Sequence, residues 1–304
     1  MNDDSIAKKR FIKRFPQTQS DKDLAPLTAY GIGGAADLYI QAHHMLDIPE
    51  IIQQAHELHI PYYLLGGGRN IVFSDKGFRG LIIHNKAMSI AVRENKITAE
   101  SGAMLAQVLA EARKHKLGGI MKMVGLPGTI GGALYGNAGA QGVEIGDFVT
   151  KATLFDYQNG VHTENSDYFQ FSYRTSILKK THETVLSVTL TLPPLDPHDV
   201  TPEIITFRAK KQPKGKVAGS FFKNPSPDKP AGMLIDKAGL KGLRRGDITV
   251  SLMHGNWLIN EGNGTQKELI ELAKHIKETV HHMFDVTLQP ENILLDERGN
   301  KIDI

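Results

Sequence analysis

The sequence predicts an α+β protein of two or three domains, on three observations. The chain has 304 residues, more than one domain of ordinary size holds. Segments with apolar residues at helical spacing are interspersed with short segments that alternate as strands. Glycines gather in two clusters, GGGRN at Gly66 to Asn70 and GLPGTIGGALYGNAGA at Gly125 to Ala140. The second cluster holds six of the chain's 30 glycines in sixteen residues, a density that suggests N–H groups folded around something. A set of tight turns in a β-rich domain is the plainer alternative.

Taken in order, residues 1–20 (MNDDSIAKKRFIKRFPQTQS) are charged throughout and lack the apolar core of a secretory signal, so a flexible or lightly docked cytoplasmic tail is expected. Gly31 to Ala36 imitate a Gly-x-Gly-x-x-Ala dinucleotide fingerprint, but they precede Leu38, Tyr39 and Ile40, which alternate as a strand. The fingerprint needs a strand before it and a helix after it, so that reading is rejected. Tyr30 and these glycines are expected to form a turn near a ligand. Asp47 and Pro49 then open a helix whose Ile48, Ile51, Ile52, Ala55 and Leu58 share one face.

Tyr62 to Leu65 read as an apolar strand running into Gly66, Gly67, Gly68, Arg69 and Asn70, the usual way to put bare amides at a ligand. A turn at Asp75 to Gly77 leads to a strand at Leu81 to His84. Another strand is expected at Ile97 to Glu100, then a helix with Leu105, Val108, Leu109 and Ala112 inward. The long glycine stretch follows and contains no Lys or Arg. If the two loops clamp a pyrophosphate, this one does so with backbone dipoles, Thr129 and Asn137.

Beyond it, Ala152 to Tyr157 and Thr184 to Leu192 alternate as strands, and Pro193, Pro194 and Pro197 mark a boundary. A helix opening at Thr201 has a basic end, Arg208 to Lys211. A short helix is expected at Ala231 to Ala238, with strands near Ile248 to Ser251 and Trp257 to Ile259. Thr265 and Glu268 form a capping box for a long helix with Leu269, Leu272, Ala273, Ile276, Val280 and Met283 inward. A last strand is expected at Val286 to Leu288.

Composition narrows the function. With 23% charged and 40% hydrophobic residues the chain is neither disordered nor membrane-spanning, and a net charge of +3 is far from a nucleic-acid-binding composition. The absence of cysteine excludes disulfides, thiolate catalysis and sulfur-ligated metals. The 13 histidines show no metal-binding spacing, so no metal is expected. Phosphate loops of the Gly-Lys-Ser/Thr type and serine-hydrolase elbows are lacking too. Three residues are open to a chemical or a plain structural reading. Ser220 sits among Gly219, Lys216, Lys223 and Asn224 and either reacts or caps a turn. Arg174, in FSYR, and Glu291, behind Pro290, are either functional or solvated.

These residues resemble the UDP-N-acetylenolpyruvoylglucosamine reductase family, flavoenzymes of bacterial peptidoglycan precursor synthesis. The similarity runs in register from about Leu27 to Leu295. It joins Tyr30 with Ile32, Gly33 and Gly34, then LGGGRN, GLPGTIGGALYGNAGA, FSYRTS, GSFFKNP, AGLKGLRRGD, HGNWLIN and QPE. The resemblance implies an FAD-binding fold of the vanillyl-alcohol oxidase type with a third, substrate-binding domain. The expected division is 21–85 and 86–200 as FAD-binding lobes, 201–285 as the substrate domain, and 286–304 packing back on the second lobe.

By the same resemblance Tyr30, Gly66, Gly67, Gly68, Arg69, Asn70, Gly125, Thr129, Ile130, Gly131 and Asn137 fall at positions around non-covalent FAD. Tyr173, Lys216 and Asn224 fall where the family contacts substrate, and the catalytic trio is Arg174, Ser220 and Glu291. NADPH is the expected hydride donor, the UDP-sugar enolpyruvate the substrate, and a cytoplasmic monomer the expected form. Arg69 stands in place of the usual Ser, Gly136 in place of a larger residue, and Asn292 in place of an apolar residue after the glutamate. Only 45 residues separate Arg174 from Ser220, which resembles the shorter subtype without an inserted tyrosine loop. Competing readings are another FAD-dependent oxidoreductase of this fold, which predicts rapid reoxidation by oxygen, and an idle nucleotide-sugar binder, which predicts a colourless protein.

Overall fold

The structure, a computed structural model, describes residues 3–196, 198–199 and 213–304. The helix expected from Thr201 with its basic end at Arg208 to Lys211, and the Pro197 boundary, lie outside these residues. Two compact units are present. The first comprises Met1–Thr18, Tyr39–Gly67 and Ile82–Arg208, the second Gln19–Leu38, Gly68–Leu81 and Ala209–Ile304. A four-stranded sheet has the order Gln19–Asp23, Ala35–Ala42, Phe78–Asn85, Tyr62–Leu65.

The first unit is built on an antiparallel sheet of order Gly160–Asn165, Val149–Asp156, Thr184–Thr191, Lys96–Glu100, Ile90–Arg93. Its central strand, Thr184–Thr191, is buried over nearly its whole length, as a strand rich in Val, Leu and Thr with neighbours on both edges should be. Helix Leu105–Lys114 buries the predicted face of Leu105, Val108, Leu109 and Ala112 in one core with Ile97, Val188, Leu190, Ile130 and Leu134. Each fully buried Leu or Ile contributes about 1.5–3 kcal/mol.

The N-terminal segment, expected to be a flexible or lightly docked tail, contains a helix, Asp3–Arg14. Phe11 and Phe15, one helical turn apart, pack with tilted rings 4.9 Å between centres and are buried. Two apolar residues suffice to hold a face that its many charges hide from a composition-based reading.

In the second unit helix Gln266–Phe284 buries Leu269, Leu272, Ala273, Ile276 and Val280 against Phe221, Phe222, Ile235 and Ile248. The capping box forms as predicted: Thr265 Oγ1 accepts from the Glu268 amide at 3.2 Å and Glu268 Oε2 accepts from the Thr265 amide at 2.9 Å. Asp75, in the predicted turn, accepts from the amides of Gln266 and Lys267 and completes the cap. Met283, expected inward, is exposed, because the apolar stripe ends with Val280.

No strand forms at Val286 to Leu288, although Leu288 is buried. The last strand is Ile293–Leu294, parallel to Ile71–Val72 in the same unit. The C-terminal segment expected on the second lobe thus pairs, at these two residues, with the strand that follows the Gly66–Asn70 loop. A two-residue strand beside a buried partner carries no period that a sequence pattern can display.

Candidate active site

In the first unit the two glycine clusters meet. A Cβ on Gly66 would lie 2.8 Å from Thr129 Oγ1, and one on Gly67 would lie 3.2 Å from the Gly128 Cα. Side chains are therefore excluded where the loop after strand Tyr62–Leu65 touches the turn before helix Ile130–Gly136. Gly128, at φ +118°, turns the other way: a Cβ there would meet nothing within 4 Å. The amides of Gly67, Gly128 and Thr129 donate to no acceptor among the described residues. Bare, unspent amides are what a flavin nucleotide's diphosphate can accept hydrogen bonds from, so these residues fit FAD.

The other predicted cofactor residues of this unit are engaged in holding that turn. The Ile130 amide donates to the Ala103 carbonyl at 2.8 Å, the Gly131 amide to Ser101 at 3.0 Å, and the Gly132 amide to Thr129 Oγ1 at 3.3 Å. Gly125 adopts a positive φ of 81° at the turn's entry. Asn137, fully buried and left-handed, caps the helix's end. Its side chain donates to Glu144 Oε2 at 2.6 Å and to the Ser172 carbonyl at 3.0 Å, and accepts from the Gly146 amide.

Arg174 lies in the same unit, on a tight turn in which Ser172 and Thr175 exchange both main-chain hydrogen bonds. It is left-handed, φ +53°, a conformation that disfavours side chains by roughly 1–2 kcal/mol and is tolerated mostly where a site needs it. Nη2 donates to the Gly139 carbonyl at 2.8 Å, Nη1 lies 3.6 Å from Glu144 Oε1, and the guanidinium sits 5.1 Å from the Tyr173 ring centre. Tyr173 itself is exposed. The end of the glycine stretch and Asn137 therefore orient Arg174 through Glu144. Sequence reading missed Glu144, whose only signal is its place just past the glycines.

In the second unit the segment after Ser220 pairs with the segment that carries Glu291. The Glu291 amide donates to the carbonyl of Phe221, the residue after Ser220, at 2.7 Å, and Phe222 bridges to Pro290. Phe221 and Phe222 are buried, so the pair of segments is anchored on both sides of Ser220's neighbour. Asn256 accepts from the Phe222 amide and donates to its carbonyl.

Lys216 does not use its charge on Ser220 in this structure. Its ammonium donates to the Gly262 carbonyl at 2.8 Å, and its aliphatic stem covers Gly31. Asn224 Oδ1 accepts from the Ala231 amide and caps the helix that starts there. Gly68 is left-handed and its carbonyl accepts from Ala29; Arg69 is exposed. Tyr30, expected in a ligand-side turn, is wholly buried in this unit's core, and burial raises its phenol pKa far above the ordinary value. Its hydroxyl donates to Asn292 Oδ1 at 3.1 Å. Asn70 Nδ2 donates to the Glu291 carbonyl at 3.1 Å.

One group of possible metal ligands occurs among the described residues: Asp156, His162 and Glu183 in the first unit. Both imidazole nitrogens already have acceptors, Nδ1 the Gly160 carbonyl at 3.1 Å and Nε2 Glu183 at 2.9 Å, an arrangement that suits the imidazolium. Glu183 also accepts from Tyr168 at 2.6 Å, which pushes that phenol up to about 12.

The glycine cradle places this protein among FAD-containing oxidoreductases, and a model of the FAD binding domain matches residues 36–164. A model of the UDP-N-acetylenolpyruvoylglucosamine reductase C-terminal domain matches residues 211–295. The UDP-N-acetylenolpyruvoylglucosamine reductase of Clostridium novyi (strain NT) is 35% identical over 278 residues, 90% of each chain. The enzyme named UDP-N-acetylenolpyruvoylglucosamine reductase 2 in Bacillus cereus is 34% identical over 92% of this chain and 93% of its own. The crystal structure of the Thermus caldophilus reductase superposes with a TM-score of 0.75 at 31% identity, over 91% of this chain and 97% of that one. The chain belongs to the UDP-N-acetylenolpyruvoylglucosamine reductase family.

Proposed function

We propose that the chain reduces UDP-N-acetylglucosamine enolpyruvate to UDP-N-acetylmuramate in peptidoglycan precursor synthesis, with residues 21–85 and 86–200 serving FAD and 201–285 the sugar. When bound, FAD supplies hydride chemistry, drawing on NADPH. The amides of Gly67, Gly128 and Thr129 hold the cofactor's diphosphate without side-chain charge. Arg174, fixed in charge and planar, holds the substrate carboxylate and stabilises the enolate-like character that develops as one alkene carbon is reduced. Ser220 gives its hydroxyl proton to the other alkene carbon, and Glu291 orients the reacting end. Tyr173 and Asn224 contact the sugar nucleotide. Lys216 is a poor candidate to ease Ser220's deprotonation while it faces Gly262. The protein acts as a cytoplasmic monomer.

The observation that carries this reading is the hydrogen bond from the Glu291 amide to the Phe221 carbonyl, which supports it by pairing the segment of Glu291 with the residue after Ser220. The test is Ser220→Ala. General acid catalysis is typically worth about 10² to 10⁴ in rate, so flavin reoxidation by the enolpyruvyl sugar should slow by that factor. Flavin reduction by NADPH, which has no use for this proton, should be unchanged. Equal slowing of both half-reactions would make Ser220 a structural support of the flavin site, and slowing of neither would assign the proton to another group.

A further inference from the structure

Asn292 is a polar side chain, 2% exposed, beside an otherwise apolar core. An amide so placed is tolerated only if its hydrogen bonds are made, since leaving one unmade costs about 1–3 kcal/mol. Here they are made in one direction. Tyr30 Oη donates to Asn292 Oδ1 at 3.1 Å, Asn292 Nδ2 donates to Asn70 Oδ1 at 2.6 Å, and Asn70 Nδ2 donates to the Glu291 carbonyl at 3.1 Å. The Ala218 amide, two residues before Ser220, faces the same Tyr30 hydroxyl. Because Asn70 Oδ1 is occupied by Asn292, the only orientation left to its Nδ2 is toward Glu291.

The consequence falls on Glu291. Its amide is bonded to Phe221 and its carbonyl to Asn70, so both peptide groups around its Cα are held. An apolar residue at 292 would fill the same space without orienting Asn70, and the Glu291 carbonyl would lose its directed partner.

We propose that Asn292 is a positioning residue for the reduction. Through Asn70 it fixes the main chain of Glu291, and through Tyr30 it ties that segment to the one bearing Ser220. This rests on the role assigned above to Glu291. Misplacing a reacting group by about 1 Å costs on the order of 10²-fold, and the loss should appear only in the step that uses Glu291.

The test is a double-mutant cycle on the FAD-loaded protein, read as the two half-reactions by rapid mixing. Asn292→Leu should slow flavin reoxidation by the enolpyruvyl sugar by about 10- to 100-fold, with reduction by NADPH within about twofold. In a Glu291→Gln background the same change should cost less than about twofold more, because there is no carboxylate left to position. Tyr30→Phe keeps the buried ring and removes the hydroxyl that donates to Asn292 and faces the Ala218 amide. It should slow reoxidation by about threefold or more in the parent and by under twofold in the Glu291→Gln background, a readout that survives if Asn292→Leu fails to fold. Losses that repeat in full in the Glu291→Gln background, or no loss in the parent, would overturn the positioning role. If Glu291→Gln alone reoxidises at the parent's rate, the assignment of Glu291 falls, and this proposal with it.

Discussion

Replacing Arg174 by lysine keeps the positive charge and changes its shape, which makes Arg174→Lys a sharp probe of the first unit's part of the site. The guanidinium makes two separate contacts, Nη2 to the Gly139 carbonyl at 2.8 Å and Nη1 toward Glu144 at 3.6 Å, with the Tyr173 ring beneath. An ammonium is a compact point charge without the planar fork that faces two acceptors at once, so it has no parallel N–H pair with which to clamp a carboxylate. The expected loss is one charge-assisted hydrogen bond, about 1.5–3 kcal/mol, or about 10- to 150-fold in rate at 1.36 kcal/mol per tenfold.

Lysine accepts the left-handed turn no better and no worse than arginine, so stability should hardly change. Stopped-flow absorbance of the flavin separates the two half-reactions: reduction by NADPH should proceed as in the parent, and reoxidation by the enolpyruvyl sugar should slow by the stated factor. A turnover within about twofold of the parent would refute the carboxylate-clamp role. Slowing of both half-reactions together with lost flavin would refute it in favour of a structural one.

Two glycines of the same helix should respond oppositely to alanine. A Cβ on Gly131 would lie 2.7 Å from Ser101 Cβ and 2.9 Å from its carbonyl, so Gly131→Ala should destabilise by about 1–3 kcal/mol through overpacking. Gly136 faces open space, so Gly136→Ala should raise the free energy of unfolding by about 0.5–1 kcal/mol with flavin content unchanged; flavin loss instead would mean that its open face is the ligand's. Burial alone would lower the pKa of His162, but the Gly160 carbonyl and the Glu183 and Asp156 carboxylates hold it above its ordinary 6.5. Its stabilisation is therefore complete below about pH 6.5 and lost as pH rises through the raised value. The stability difference between the parent and His162→Gln, from chemical denaturation, should shrink along that window; a difference growing with pH would sink the argument. His254, lowered by burial, works in the reverse sense and cancels in that difference.

What the sequence determined by itself was expressed in local period or in a contiguous motif, up to element ends such as Met283, which is exposed. The faces of helices Leu105–Lys114 and Gln266–Phe284, the Thr265–Glu268 box and the two glycine clusters are of this kind, because their physical cause lies within a few residues. The family was legible for the same reason, in runs of adjacent residues. Tertiary structure alone decided what depends on partners far away in the chain. Asn292 read as a departure from pattern until Tyr30, 262 residues away, and Asn70, 222 away, supplied its hydrogen bonds. Tyr30 likewise looked like a ligand-side residue in a glycine turn, and only the packing of Phe221, Phe222 and Ile248 in the same core makes it an interior one. Glu144 gained meaning only when the turn at Ser172 to Thr175 carried Arg174 to it. A buried polar side chain has no period of its own. Its place is set by the cost of leaving its hydrogen bonds unmade, and the groups that prevent that cost are chosen by the fold.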